Sequence, residues 1–318
     1  MPVSRLFIYV IAGLWAGNLF ADTNYLAVAV GTNSAADREL QKIMEQDDEA
    51  QADADRWIRD NQKFAAEGAG TADRALNERI RRRFEPVRLA YERFILQHTN
   101  HIRARLAYAG FLGDINDTTN QFAQLKLVQA LAPDNPVIWN NLANYYGRSG
   151  SATNVFTCYG KAIELRPNEP LYHHNLANAM LLFRAEATNF YSLNDQQLFL
   201  KALENYQQAL KSDPENFPLA TDLARVYYDI QPRRTEEALT AWTNALKLAH
   251  DSLEREGVQV HLARVKIQAE RTNEARAHIG SITNESYSVL KKELATLLIA
   301  ETTATNSPTS PPEKSENK

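Results

Sequence analysis

Six side chains in the middle of the chain recur at two fixed places and could together hold a peptide backbone. Asn141, Asn175 and Asp222 each stand one residue before a repeated leucine, and Asn144, Asn178 and Arg225 each stand two residues after it. A carboxamide donates and accepts, so a row of Asn can match peptide N–H and C=O groups without reading side chains. Each net hydrogen bond contributes only about 0.5–1.5 kcal/mol, which by itself supports roughly micromolar or weaker binding. Asp222 differs from the amides. It accepts only and carries charge, so it favours a peptide N–H or a basic ligand side chain.

The other reactive residue types are arranged for less. There is no Gly-rich phosphate loop, no His-Glu-x-x-His and no Gly-x-Ser-x-Gly. The expectation is a protein that is not an enzyme and needs no cofactor. His173 and His174 are adjacent, about 100° apart on a helix, and cannot ligate one metal from one face, so no metal site is expected. The single cysteine, Cys158, excludes an intramolecular disulfide and a cysteine-rich metal site. It reads as a packing or surface thiol. The run Arg79-Ile-Arg-Arg-Arg83 reads as a solvated helix face that can pair with Glu45, Asp47, Asp48, Glu49, Asp53 and Asp55. The alternative is contact with an anionic surface.

The elements that must position these residues are helices. In 318 residues there are 12 Gly and 12 Pro, sparse punctuation that favours long helices over many short strands. Lys plus Arg is 35 against 39 Asp plus Glu, so the basic footprint of a general nucleic-acid binder is missing and no nucleic-acid partner is expected. Leu142-Ala143 recurs as Leu176-Ala177, Leu223-Ala224 and Leu262-Ala263. Tyr159, Ala162 and Pro167 recur as Tyr206, Ala209 and Pro214, then as Trp242 and Ala245, then as Ile279 and Ile282. Upstream, Leu125, Val128 and Pro133 stand in the same register, as do Tyr91, Phe94 and Thr99. The base period is about 34 residues, and departures from it are whole insertions at turns, which stacked repeats tolerate. Within one unit Trp139, Leu142, Ala143 and Tyr146 form one helical stripe and Val155, Tyr159, Ala162 and Ile163 a second. Gly150 ends the first helix and Pro167 the second.

The pattern Trp139…Leu142-Ala143…Tyr146…Gly150…Tyr159…Ala162…Pro167 resembles the tetratricopeptide repeat (TPR) family. The resemblance implies an all-α fold, a right-handed α-α superhelix of about four to five helix pairs with an N-terminal helical extension and a C-terminal capping helix. Units are expected at about 103–135, 136–169, 170–216, 217–252 and 256–289, with a cap at 289–300. Residues 85–102 read as the second helix of a degraded unit, so the array spans 85–300. The insertion 184–201 carries Phe190, Tyr191, Leu198 and Phe199, expected to pack back, and Ser192–Asp195 reads as a capping box. His173 stands where the family has a larger apolar side chain. In this family the first helices line a concave groove that holds peptides or partner helices. The resemblance thus makes Asn141, Asn144, Asn175, Asn178, Asp222 and Arg225 candidate peptide-binding residues, and a protein or peptide the expected partner. Asn140 and Thr221 stand where a lysine would help clamp a C-terminal carboxylate, which disfavours that ligand.

The ends are read separately. Residues 1–21, with the apolar run Leu6–Phe20 followed by Ala21 and Asp22, match a secretory signal peptide. Fifteen helical residues rise about 22 Å, short of a roughly 30 Å hydrocarbon core. An uncleaved inner-membrane anchor and a buried first helix are the alternatives. Export to a periplasm or the cell exterior follows from the first reading, and a membrane partner only from the anchor. Residues 22–33 read as a linker and 34–84 as an N-terminal helical region, with Pro86 marking the end or a kink of its second helix. Residues 301–318 are too polar to offset their chain entropy and are expected to be disordered. The functional expectation is an exported scaffold for protein–protein interaction. The alternative is an accessory subunit of a cell-envelope enzyme or secretion complex.

Overall fold

A computed structural model describes residues 34–66, 71 and 73–305. Regular structure among these residues is helical throughout, fourteen α-helices and one short 3-10 helix. Residues 1–33, 67–70, 72 and 306–318 lie outside the described residues. The signal-peptide, linker and most of the tail expectations fall there. The chain divides after Pro167 into two compact units.

The first unit holds α1 (Ala35–Ala66), α2 (Asp73–Gln97), α3 (Ile102–Asp114), α4 (Thr118–Leu131), α5 (Pro136–Arg148) and α6 (Ala152–Leu165). Neighbours in sequence pack as pairs, α1 on α2, α3 on α4 and α5 on α6, and α4 also packs on α5. In α1 the residues Leu40, Ile43, Met44, Ala50 and Ala54 are buried. Ile58 stays exposed, and Trp57 is covered by the Arg79 guanidinium at 3.8 Å. Arg83 pairs with Asp53 at 2.8 Å and Glu49 at 3.8 Å, so the two charged segments do meet at that residue. Arg81 and Arg82 instead pair with Glu78 on their own helix.

Pro86 does not end α2: the helix runs through it to Gln97. Proline removes one backbone donor and costs about 3 kcal/mol inside a helix. Phe84, Val87, Tyr91, Phe94 and Ile95 flank it and are all buried in one cluster, which outweighs that loss.

The second unit holds α7 (Pro170–Leu182), α8 (Arg184–Tyr191), α9 (Asp195–Ser212), α10 (Phe217–Val226), α11 (Thr235–Leu248), α12 (Ser252–Gln268), α13 (Thr272–Gly280) and α14 (Ser288–Thr305). Here α7 packs on α9, α10 on α11 and α12 on α13, while α14 covers α12 and α13. Leu290, Leu294 and Leu298 are its buried stripe; Val289 lies off that stripe and is 64% exposed. The helix extends to Thr305, five residues into the segment expected to be disordered.

Small residues sit where helices meet. Ala143, Ala177, Ala224 and Ala263 on first helices, and Ala162, Ala209 and Ala245 on second helices, are fully buried. The insertion forms the separate helix α8 and extends α9. Its capping box is built by Asn194 and Gln197, not Ser192 and Asp195. Ser192 is instead the left-handed residue that ends α8. Leu198 and Phe199 are buried and Tyr191 is half-buried, but Phe190 is 41% exposed. Gln196 donates to the Asp229 carbonyl and accepts from the Gln231 N–H. One insertion thus grips the turn that carries the next.

Candidate functional site

The first helices α7 and α10 start with Pro at their first or second position, which suits the unsatisfied N-terminal turn. Asn216 caps α10 by accepting from the Leu219 N–H at 2.9 Å. This fixes α10 so that Leu223 and Ala224 point inward. The residues on either side of them, Asp222 and Arg225, lie partly exposed.

The six candidate residues do not share one environment. Asn141 and Asn144 are buried, 2% and 5% exposed. The reason lies in α5, whose faces are covered by both α4 and α6. Val137, Ile138 and Asn140 join its buried surface, a wider face than one stripe predicts, while Trp139 and Tyr146 are only half-buried. The Trp139 Nε1–H donates to the Pro133 carbonyl at 2.7 Å. Asn140 donates to Asn141 Oδ1, and the Tyr159 hydroxyl donates to Asn144 Oδ1 at 2.6 Å. The same bond recurs in the second unit, where the Tyr206 hydroxyl donates to Asn178 Oδ1. Asn144 and Asn178 therefore tie the first helix of a pair to the second.

Asn175, Asn178, Asp222 and Arg225 are half-buried in the second unit. His174 Nε2 lies 2.8 Å from Asp222 Oδ2 and joins α7 directly to α10. Arg225 reaches Asp222 Oδ1 at 3.4 Å and keeps 41% of its side chain exposed. These residues form one polar face across successive first helices. His173 turns elsewhere: its Nδ1 lies 3.0 Å from Asn205 Oδ1 on α9, which fills the place of the larger apolar residue. The two histidines thus serve different contacts.

The same face continues beyond the six. His261 stands one residue before Leu262 and Arg264 two after it, the register of Asp222 and Arg225. The His261 ring stacks on Trp242 at 4.0 Å, and its Nδ1 is 3.1 Å from the Tyr228 hydroxyl. Burial pushes the His261 pKa down to about 3, helped by Arg225 and Arg264, so the ring is neutral. The Arg264 guanidinium lies over the Tyr228 ring at 4.9 Å. The Leu-Ala recurrence could have found this rung from sequence, since its offset was already visible.

Elsewhere, burial pushes the Cys158 thiol up to about 11, which makes it a packing group and not a nucleophile. Among the described residues no cluster of three His, Cys, Asp or Glu side chains is placed to hold a metal ion. No described helix is long and apolar enough to cross a membrane.

No protein-family model matches the sequence, and no curated protein matches it. Solved structures do resemble the fold. The type IV pilus biogenesis factor PilW superposes with TM-score 0.54 at 12% identity, over 83% of this chain and 100% of that one. PilF of Pseudomonas aeruginosa gives 0.51 at 13% identity, over 79% and 98%. YrrB, described as a TPR protein with an unusual peptide-binding site, gives 0.51 at 11% identity, over 65% and 98%. With the repeated Leu-Ala helix pairs, the buried alanines at their contacts and these likenesses, the chain has the tetratricopeptide-repeat fold.

Proposed function

We propose that this protein is an exported scaffold that holds an extended segment of a partner protein on the first-helix face of its second unit. The observation that carries the reading is the His174–Asp222 contact. It brings the first helices of successive pairs side by side, with Asn175, Asn178, Asp222 and Arg225 on the surface they share. Asn175 and Asp222 offer the peptide-binding chemistry, and Arg225 adds a charged donor. Asn178 spends its carbonyl oxygen on Tyr206 but keeps its amide group for donation. Asn141 and Asn144, in the first unit, are buried and are left out of the proposed face. YrrB, of the same fold, is described as having a peptide-binding site, which agrees with this use of the architecture.

A photo-crosslinking amino acid at position 225, with the same group at the exposed Gln208 on α9 as control, tests the reading. Crosslinks to one partner from 225 and none from 208 are expected. Equal crosslinking from both positions, or from 208 alone, would remove the first-helix face as the site.

A second reading follows from PilW and PilF, which share the fold over most of this chain. In it the protein is an accessory subunit of an envelope assembly, held at the membrane if residues 6–20 are not cleaved. Both readings use the same face and differ in what the partner belongs to.

A further inference from the structure

The outward face of the second helices changes its chemistry along the first unit. Tyr91, Leu125 and Tyr159 hold one register and are buried in α2, α4 and α6. The residues two before, two after and five after them fall on the opposite side of each helix. In α6 these are Thr157, Lys161 and Glu164, and the last two pair with each other at 2.7 Å. In α2 they are Leu89, Arg93 and Leu96, and in α4 Ala123, Leu127 and Ala130, all six exposed. Leu96 is 79% exposed, and Leu89, Leu127 and Leu131 lie between 42% and 46%. A single exposed leucine is ordinary, but these four stand on two helices that both pack on α3. Arg105 of α3 joins the two: its Nε donates to the Thr99 carbonyl just past α2, and its Nη1 to Gln124 Oε1 on α4, both at 2.7 Å. Leu96 stands three residues before Thr99 and Leu127 three after Gln124, so each lies about one turn from the same guanidinium.

The basic run Arg79–Arg83 is spent inside the unit. Arg79 covers Trp57, Arg81 and Arg82 pair with Glu78, and Arg83 pairs with Asp53. Three other cations border the leucines without a carboxylate partner. Arg93 stands exposed between Leu89 and Leu96 and pairs with no described residue. Lys126, the one charged residue of α4, donates to the neutral amide of Gln129. Arg105 has the Thr99 carbonyl and the Gln124 amide, both neutral, and burial holds its pKa below the usual guanidinium range. The nearby acids are engaged elsewhere. Glu92 is held by Arg88 and the Tyr108 hydroxyl, and Asp117 by Asn120 at the first turn of α4.

We infer that the outer face of α2 and α4, where Leu89, Leu96, Leu127 and Leu131 stand beside Arg93 and Lys126, docks on the surface of an anionic lipid bilayer. The patch lies wholly in the first unit and is independent of the peptide-holding face of the second. Charge selects the occupant, because cations with no carboxylate of their own favour a negative surface. The leucines select its depth, since exposed apolar side chains flanked by cations enter the boundary between headgroups and acyl chains. Leu96 projects from the last turn of α2 and lines no cleft. A partner helix would need a groove for its apolar stripe, whereas a fluid surface accepts side chains that project.

The test reads the face itself, since the apolar run Leu6–Phe20, where retained, also partitions into vesicles. An environment-sensitive nitrobenzoxadiazole probe is placed on the full-length chain by Gln97→Cys, by Ala130→Cys or, as control, by Thr157→Cys, each with Cys158→Ala. All three probe positions are exposed. Vesicles of phosphatidylcholine with phosphatidylglycerol should brighten and blue-shift the probes at 97 and 130 and leave the probe at 157 unchanged. Pure phosphatidylcholine should need at least tenfold more lipid for half the change, and added salt should shrink that preference. Arg93→Gln with Lys126→Gln should cut the preference at least threefold. Leu89→Ser with Leu127→Ser should remove the response at both positions while helicity stays native, because both leucines are exposed. No change at 97 and 130, or an equal change at 157, would overturn the inference. So would a preference undiminished in the charge variant. A response to a synthetic acidic amphipathic helix, with none to vesicles, would overturn the bilayer as occupant and assign the patch to a protein partner.

Discussion

Asp47 shows how a single residue sets the conditions under which part of this molecule is stable. It lies on α1 against α2, where the Tyr91 hydroxyl donates to its Oδ2 at 3.1 Å. Burial pushes its pKa from 3.8 up to about 6, against the Tyr91 and Gln51 hydrogen bonds, which favour the charge. The folded state therefore binds the proton more tightly than the unfolded chain does. Stability from this group is fully present below about pH 4 and is lost as pH rises through 6, by about 1–3 kcal/mol. Asp47→Asn keeps an acceptor for Tyr91 and removes the charge. Its melting temperature should exceed that of the native protein at pH 7.5 and match it at pH 4. An unchanged difference at the two pH values would show that Asp47 ionises freely. The Asn144–Tyr159 and Asn178–Tyr206 bonds belong to the same scale. They explain why amides recur in the first helices without each being a ligand contact.

At the scale of the element, the turns between paired helices repeat a backbone conformation more faithfully than a residue type. Asn116, Gly150 and Glu270 hold the same register and have φ of 61°, 75° and 59°. In each case the next N–H reaches back five residues, Asp117 to Leu112, Ser151 to Tyr146 and Arg271 to Lys266. This is the closing bond of a left-handed helix terminus. Only glycine adopts that φ without steric cost. Nothing lies within 4 Å of a Cβ built on Gly150, so the substitution Gly150→Ala would pay for backbone strain alone. It should lower stability by about 1 kcal/mol, and Glu270→Gly should raise it by a similar amount. Thermal melts of the two variants check this together. Equal and same-signed shifts would mean that side-chain contacts, not φ, decide these turns.

At the scale of the whole molecule, the proposed export turns on the apolar N-terminal run. Leu6 to Phe20, fifteen residues followed at once by Ala21 and Asp22, would rise about 22 Å as a helix against a roughly 30 Å hydrocarbon core. An exported chain cut after Ala21 should show a mass lacking residues 1–21. Intact-mass measurement of the envelope fraction with Met1 retained would favour the anchored accessory-subunit reading instead.

The sequence by itself determined the helix pairs, the period, the places of the insertions and the inward-facing alanines, because all of these follow from spacing along one helix. Leu142, Ala143, Tyr159 and Ala162 carry enough of the pattern to place a whole unit. The tertiary structure alone decided which polar residues are buried. Asn141 and Asn175 hold the same register, yet α4 and α6 cover α5 and bury the first, while the second is only half-buried. Pro86 likewise reads as a break until the buried residues around it are seen to hold the helix together. The insertion's true cap, Asn194, could not be chosen over Ser192 from spacing, since both are good caps and only the left-handed turn ending α8 separates them. Burial and turn geometry depend on neighbours distant in sequence, and no periodicity along the chain encodes them.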